Sequence, residues 1–216
     1  VLIAGASGTI GTALQAVLRE NGHNVHTLVR RKPRGDTEHQ WSPENHQIDS
    51  GIINHVDAVV NLSGASISRM PWSARHKDLI LSSRVNATKT LAQAIKKSPT
   101  PPQVLLQGSA VGFYGDRGEE SLDETSKRGS GYLSDVVVAW EKAATPTALK
   151  KTRVIYARTG LVVGHAGAMA PLRLQTLVGL GGKVGPGAQW WPWISLHDEV
   201  RALVHLITHH SAEGVF

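Results

Sequence analysis

The chain of 216 residues contains no cysteine. Disulfide bonds, cysteine-ligated zinc sites and thiol nucleophiles are therefore excluded, and this composition fits a protein of the cytoplasm. No apolar run approaches the roughly 18 residues that a membrane-spanning helix needs. We therefore expect a cytoplasmic protein with no membrane partner.

Acidic residues are fewer than basic ones, so that the formal net charge is +6 and the pI is about 9.8. A basic balance is typical of nucleic-acid binding, but it also suits a phosphate-bearing small ligand. The positive charge is not gathered into one long stripe, and its densest cluster comprises Arg30, Arg31, Lys32 and Arg34. We therefore expect a small-molecule ligand and no nucleic-acid partner.

Two further kinds of site are missing from the sequence. There is no Gly-x-Ser-x-Gly elbow, so acyl transfer is not expected. Among eleven histidines, His205 and His209 are spaced four apart on a predicted helix, but no third ligand accompanies them. We therefore expect no metal site.

Apolar runs alternate along the chain with segments of helical periodicity. The pattern predicts strands near residues 1–5, 23–29, 57–62, 104–106 and 154–157, and helices near residues 10–18, 72–97, 133–144 and 168–178. Strands that alternate with helices predict an α/β fold with a Rossmann-type, doubly wound parallel sheet. We expect one domain over residues 1–216, as part of a longer chain because Val1 begins inside an apolar run.

A glycine-rich turn with the pattern G-x-x-G-x-x-G joins the first predicted strand to the first predicted helix. In such a turn, glycines allow a tight bend, a close approach of pyrophosphate to the backbone, and close packing of helix on strand. The helix N-terminus then presents free N–H groups to the phosphates. The candidate cofactor-binding residues of this turn are Gly5, Ser7, Gly8, Thr9, Ile10 and Gly11.

The end of the second predicted strand indicates which dinucleotide is bound. An NAD-specific site carries Asp or Glu there, where it binds the ribose 2′-hydroxyl. This chain has Arg30 and Arg31 instead, and a guanidinium binds a 2′-phosphate that a carboxylate would repel. We therefore predict NADP(H) as the cofactor, with NAD(H) less favoured.

With these motifs, the chain resembles the extended short-chain dehydrogenase/reductase (SDR) superfamily. Three segments match the pattern in order: 61–65, 108–115, and 185–189 with 193–198. The resemblance is narrower to an atypical subgroup called the "epimerase family", sometimes described as nucleoside-diphosphate-sugar epimerases. The residues that carry the narrower resemblance are Trp41–Pro43, Ser83–Arg84, Ser109–Gly115, Trp140–Glu141, Arg158–Gly160 and Gly179–Gly182.

The resemblance implies a division of the chain and a set of cofactor and substrate residues. It implies a Rossmann core over residues 1–165 and a small C-terminal substrate-side segment over residues 166–216. The further cofactor-binding candidates are Leu62, Ser63, Gly64, Arg84, Gly108 and Arg158. For Arg158, contact with the cofactor or a substrate anion and a surface ion pair both remain open. Trp191 and Trp193 are the candidate substrate residues, because flat aromatic faces suit a sugar or a base.

SDR enzymes usually pair a tyrosine with a lysine four residues later, and the lysine prepares the tyrosine for proton transfer. Here Tyr132 stands at about the expected place, but Val136 follows it four residues later. Without that lysine we expect the pKa of Tyr132 to stay near its usual value of about 10, which makes it a poor base. Arg84 stands where other members have a catalytic Asn.

The catalytic candidates are Ser109, Tyr114 and Tyr132. Ser109 is expected to hold a substrate oxygen, although an alignment shifted by one residue would put Ala110 in that place. The sequence supports two functions. The first is an NADP(H)-dependent oxidoreductase or epimerase that transfers hydride at a carbonyl or carbinol carbon of a small molecule, such as a nucleotide-sugar. The second is a non-catalytic module that senses NADP(H).

Overall fold

The computed structural model describes residues 1–68, 71–144, 149, 151–164, 169–183, 185, 187 and 189–216. Within these ranges the strands are β1 (Leu2–Ala4), β2 (His26–Val29), β3 (Glu38–Ser42), β4 (Gln47–Ile48), β5 (Ala58–Asn61), β6 (Val104–Ala110), β7 (Arg153–Thr159), β8 (Leu161–Val163), β9 (Trp193–Ser195) and β10 (Gly214–Val215). The helices are α1 (Thr9–Glu20), α2 (Ser50–Ile53), α3 (Ala74–Lys97), α4 (Tyr132–Ala143), α5 (Ala170–Leu177) and α6 (Leu196–Thr208). Short 3-10 turns cover Pro43–Asn45 and Val111–Phe113.

Eight strands form the main sheet in the order β10-β7-β6-β5-β1-β2-β3-β4. Every pairing is parallel except that of β4, which runs antiparallel to β3 at the edge. The Rossmann-type parallel sheet predicted from the sequence is therefore confirmed. The chain winds outward from β1 in both directions, so the strand order reverses beside β1, where folds of this class bind their ligands.

Helices cover both faces of the sheet, because the central strands are apolar on both sides. Neighbouring residues of β6 show the alternation: Leu105 packs with Leu91 of α3 on one face, and Leu106 packs with Leu14 of α1 on the other. All four side chains are fully or almost fully buried. Such continuous apolar strands are typical of a buried parallel sheet.

Strands that are short or polar were missed by the sequence analysis. The strand β3 reads Glu-His-Gln-Trp-Ser and has one buried residue, Trp41, so no apolar run marks it. The predicted helix near 168–178 corresponds to α5, and residue 168 lies outside the described residues. Within the described ranges, no helix is both long and apolar enough to cross a membrane.

The C-terminal part of the chain contributes both to a small second sheet and to the main sheet with its helices. β9 pairs with β8 in a separate two-stranded sheet. By contrast, α6 packs on the same face as α1, and β10 extends the main sheet beside β7. The expected substrate-side segment 166–216 therefore also supplies part of the Rossmann core, because α6 carries its own buried apolar stripe.

Helix α6 places one carboxyl group inside the protein. Glu199 is only 4% exposed and accepts a hydrogen bond from Thr159 Oγ1 at 2.8 Å. Burial raises the pKa of Glu199 above its usual value, and the hydrogen bond from Thr159 only partly opposes this shift. This carboxyl group therefore holds its proton more tightly in the folded protein than in the unfolded chain.

We predict that Glu199→Gln raises the melting temperature at neutral pH by a few degrees. Well below pH 4.5, the usual pKa of the group, Glu199 is protonated whether the chain is folded or unfolded, so the variant has no advantage. As the pH rises above that value, the unfolded chain ionises first and gains stability relative to the folded chain. Thermal unfolding of both proteins between pH 4 and pH 8 measures this difference.

Glu20→Gln, at the exposed end of α1, is the matched control and should change stability by less than about 0.5 kcal/mol. A Glu199→Gln variant that is less stable than the parent protein at pH 8 would contradict the prediction.

Candidate active site at the carboxyl edge of the sheet

The parallel strands bring four segments of the sequence motifs to one edge of the sheet, the carboxyl edge. Because β1, β5, β6 and β7 run in the same direction, their carboxyl ends meet there. The edge carries Gly5 after β1, Leu62 after β5, Ser109 near the end of β6 and Arg158 near the end of β7. Candidates far apart in sequence thus lie along a single edge.

The glycine turn packs backbone directly on backbone. Gly5 has φ +82°, and a Cβ atom there would lie 2.6 Å from the carbonyl carbon of Leu62. A Cβ atom on Gly11 would lie 2.8 Å from Cα of Ala6 and closer still to the carbonyl oxygen of Gly5. Larger residues cannot occupy either position without moving the backbone, so the turn keeps β1, α1 and the end of β5 close together.

The N-terminus of α1 opens toward solvent. Gly8 is the N-cap, and among the described residues no side chain caps this helix end or places an acid in its first turn. Ser7 and Gly8 are exposed, and Thr9 and Ile10 are half-buried. The first N–H groups of α1 and the positive end of its dipole can therefore bind an anion.

Gln15 supports the turn from α1, and sequence reasoning missed it. Its side-chain amide donates to the carbonyl oxygen of Ala6 at 2.8 Å. Thr12 Oγ1 donates to the same oxygen at 3.3 Å. Polar residues in the first two turns of a helix that follows a glycine turn are the signal that could have identified Thr12 and Gln15.

The two candidate phosphate-binding arginines have different surroundings. Arg31 donates from Nη1 and Nη2 to the two carboxylate oxygens of Glu38, both at 2.6 Å. Glu38 is the first residue of β3, so this pair closes the connection between β2 and β3. Hydrogen bonds from Arg31 and from the backbone of Arg34 lower the pKa of Glu38 to about 2.

Arg30 instead lies in the open at the carboxyl edge. Its side chain is 76% exposed, and its nearest acidic group is Glu44, at 3.8 Å. Glu44 follows β3 in the 3-10 turn, which is on the same edge of the sheet as the glycine turn. Arg30 is therefore the arginine of the pair that remains available to a phosphate group.

Arg84 of α3 lies beneath the segment that follows β5. Its Nη1 donates to the carbonyl oxygens of Ala65 and Ile80, both at 3.0 Å. The guanidinium also lies over the ring of Trp140, 5.1 Å from its centroid, and a Cβ atom on Gly64 would lie 2.9 Å from the guanidinium carbon. Burial lowers the pKa of Arg84 from its usual value. Arg84 thus shapes the backbone around Gly64.

A buried polar cluster holds the ends of β5 and β6 in register. Asn61 donates from Nδ2 to Thr88 Oγ1 at 3.1 Å and to Gln107 Oε1 at 2.9 Å. Gln107 in turn donates to the carbonyl oxygen of Gly108 at 2.8 Å. These buried hydrogen bonds fix the backbone at Gly108, the last residue before the catalytic candidate Ser109.

Ser109, Tyr114 and Arg158 form a single network through Glu141, a residue of α4 that the sequence analysis did not select as a site residue. Ser109 Oγ donates to Glu141 Oε1 at 2.6 Å. Arg158 donates from Nε to Glu141 Oε1 at 2.9 Å, from Nη2 to Oε2 at 3.0 Å, and from Nη1 to the Tyr114 oxygen at 3.0 Å. The Arg158 and Glu141 side chains are only 7% and 14% exposed. Arg158 is therefore engaged in a buried ion pair.

Tyr132 stands apart from this network. Its hydroxyl group donates to the carbonyl oxygen of Lys77 at 2.6 Å, and its ring packs against Trp72. Burial raises the pKa of Tyr132, while Arg84 acts in the opposite direction and Asp78 adds to the increase. The expectation of a pKa near its usual value was therefore wrong, and still less of Tyr132 is ionised at neutral pH.

Of the two candidate substrate residues Trp191 and Trp193, Trp191 lies beside α5. Trp191 lines an open pocket of about 300 Å³ together with Leu172, Gln175, Thr176, Gly181, Gly182 and Gln189. Trp193 of β9 is 69% exposed. Both rings are accessible to solvent, as residues that contact a substrate must be. Of the late motif 185–189, Pro186 and Ala188 lie outside the described residues.

The histidines do not form a metal site within the described part of the chain. His205 and His209 contact each other edge to face, with ring centroids 5.0 Å apart. The described residues contain no group of three or more His, Cys, Asp or Glu side chains that could hold an ion.

The parallel sheet and the glycine turn at its carboxyl edge together define a dinucleotide-binding protein of the Rossmann type. The model of the NAD dependent epimerase/dehydratase family matches residues 1–215. The chain belongs to this family.

Three relatives resemble almost the whole chain. An epimerase family protein of Mycobacterium leprae is 41% identical over 215 residues, which are 99% of this chain and 69% of that protein. The crystal structure of the human epimerase family protein SDR39U1 with NADPH is 33% identical, with a TM-score of 0.87, and the match covers 99% of this chain and 72% of the human one. A nucleoside-diphosphate sugar epimerase from Corynebacterium glutamicum is 36% identical, with a TM-score of 0.85, over 99% of this chain and 44% of that chain.

We predict that Gly11→Ala destabilises the protein by about 1–3 kcal/mol, because the added methyl group overlaps the backbone of the glycine turn. Gly8→Ala is the matched control: its φ is −75°, and its Cβ atom would contact the Gly5 carbonyl oxygen at 3.3 Å. Urea unfolding measures both. Equal stability losses in the two variants would show that the close contact at Gly11 is unimportant.

We also predict that Glu141→Ala costs about 3–5 kcal/mol, because it leaves the buried Arg158 guanidinium without its counter-ion. Glu44→Ala removes the acid of the exposed Arg30 pair and should cost less than about 1 kcal/mol. Denaturant unfolding at neutral pH compares the two. A cost below 1 kcal/mol for Glu141→Ala would mean that water solvates Arg158.

Proposed function

We propose that this protein binds NADP(H) along the carboxyl edge and acts as an SDR-type oxidoreductase or epimerase on a carbonyl or carbinol carbon. The glycine turn carries the proposal. Its backbone leaves no space for side chains at Gly5 and Gly11, and the uncapped N-terminus of α1 faces solvent beside it. This arrangement fits the pyrophosphate of a dinucleotide.

The residues at the edge fit the remaining parts of the cofactor. Arg30 would hold the 2′-phosphate, and the backbone of Leu62, Ser63 and Gly64, supported by Arg84, would line the cofactor beyond the pyrophosphate. When bound, a nicotinamide cofactor supplies or accepts the hydride of the reaction. The relative described as a complex with NADPH supports NADP(H) as the form that this chain binds.

The substrate is proposed to be a small molecule, with nucleotide-sugars as the first class to examine. The name of the Corynebacterium glutamicum relative supports this class. The exposed rings of Trp191 and Trp193 also support it, since sugars and bases stack on flat aromatic faces. Within the network of Ser109, Tyr114 and Arg158, Tyr114 would donate a hydrogen bond to a carbonyl oxygen, and Ser109 would accept one from a carbinol hydroxyl.

A non-catalytic NADP(H)-sensing module is the second candidate function. The observation that favours it is the state of Tyr132, whose hydroxyl is hydrogen-bonded to the Lys77 carbonyl and which has Val136 where SDR enzymes carry lysine. Such a module would bind the cofactor with the same residues but would not turn over any carbonyl compound.

The test is a titration of the purified protein with NADPH and NADH, followed by nicotinamide fluorescence. We predict that Arg30→Ala weakens NADPH binding about tenfold or more, because it removes a charge-assisted hydrogen bond, and leaves NADH binding unchanged. Arg31→Ala is the matched control. It should change NADPH affinity less, because Arg31 is already paired with Glu38.

If neither nucleotide binds at millimolar concentration, the cofactor proposal is wrong. If NADPH binds, a screen of carbonyl compounds and nucleotide-sugars for NADPH oxidation separates the two functions. Binding without turnover of any compound would favour the sensing module.

A further inference from the structure

All three nitrogens of the Arg158 guanidinium group donate hydrogen bonds within the protein. The edge formed by Nε and Nη2 faces Glu141, and Nη1 faces the Tyr114 oxygen. One flat face lies on the ring of Phe113, with the guanidinium carbon 3.5 Å from the ring centroid. Although burial acts in the opposite direction, hydrogen bonds to Glu141 and Tyr114 raise the pKa of Arg158. Arg158 is therefore a fixed, permanent cation beside a phenol.

The directions of these hydrogen bonds determine what each hydroxyl group can still do. Tyr114 accepts from Arg158, so its own O–H remains to be donated. Ser109 donates its O–H to Glu141, so its oxygen can only accept a further hydrogen bond. Tyr132 donates its O–H to the Lys77 carbonyl. Of the three catalytic candidates, Tyr114 is the one whose proton is not committed to a partner within the described residues.

We propose that Tyr114 is the catalytic proton donor and acceptor, that Arg158 serves as the cation beside it in place of the lysine of other SDR enzymes, and that Glu141 is a positioning residue. The proposal rests on the proposed function. When bound, the reduced nicotinamide cofactor would supply hydride to the carbonyl carbon and leave in its oxidised form. The Tyr114 O–H bond would break as an O–H bond forms on the substrate oxygen, and the phenolate that remains would be held by Arg158. A proton from water restores the phenol, and the oxidative direction reverses these steps.

Tyr114 can be observed alone, because the chain has only three tyrosines. The double variant Tyr132→Phe, Tyr156→Phe leaves Tyr114 as the one phenol, and tyrosinate absorbance near 295 nm reports its ionisation. The charged groups beside it are Arg158 from β7 and Glu141 from α4.

The decisive comparison adds Glu141→Gln to this background, with and without Arg158→Gln. The two proteins differ only in the cation, and neither contains an unpaired buried carboxylate. We expect about tenfold more tyrosinate at a given alkaline pH when Arg158 is present, because its charge lies one hydrogen bond from the phenol oxygen. Circular dichroism at each pH confirms that both are folded, and Arg158→Met, which also lacks the charge, replaces Arg158→Gln if that variant unfolds.

Equal tyrosinate in the two proteins would overturn the role of Arg158, whether or not NADPH binds. For turnover, the carbonyl substrate from the NADPH screen is given to Tyr114→Phe and Tyr132→Phe. We expect Tyr114→Phe to lose kcat about 100-fold or more and to bind NADPH within twofold of the parent protein. A loss of kcat in Tyr132→Phe with full activity in Tyr114→Phe would assign proton transfer to Tyr132 and overturn the proposal. A failure of NADPH to bind would instead refute the proposed function.

Discussion

The contact between Gly5 and Leu62 is the constraint on which the rest of the molecule depends. It places the first turn of the chain against the end of β5, on the side of β1 where the strand order reverses. Because the contact is between backbones, no side-chain adjustment can widen it. It also leaves the N-terminus of α1 open at the carboxyl edge, where an anion can approach its N–H groups.

The four arginines at the carboxyl edge have different roles because each has different neighbours. Arg31 is paired with Glu38 and fastens the connection between β2 and β3. Arg84 supports the backbone around Gly64 from below. Arg158 is buried in a network with Glu141, and Arg30 alone of the four is largely exposed. A guanidinium whose donors are already bound cannot also receive a phosphate at no cost, so the geometry separates the structural arginines from the candidate ligand-binding one.

The sequence predicted those parts of the candidate site whose residues lie close together in the chain. The glycine turn, the arginines after β2 and the absence of lysine four residues after Tyr132 are patterns within a few positions of one another. Glu141 could not be found in that way, because it lies 32 residues from Ser109 and 17 from Arg158 and meets them only through the packing of α4 on the sheet. For the same reason, nothing in the sequence separated Arg30 from Arg31, since Glu38 and Glu44 approach them from β3 and the turn after it.

By itself, the sequence determined the fold class, because buried parallel strands and amphipathic helices leave strong apolar patterns, and a glycine turn between them is readable as a motif. It did not determine the polar edge strands β3 and β4, whose residues have no apolar run. Nor did it determine that β10 extends the main sheet and that α6 packs on the face that carries α1. Only the tertiary structure decided which hydroxyl groups and which arginines are already bound to partners. Hydrogen-bond directions and ion pairs depend on distances between residues far apart in the chain, and those distances exist only once the sheet and its helices have packed.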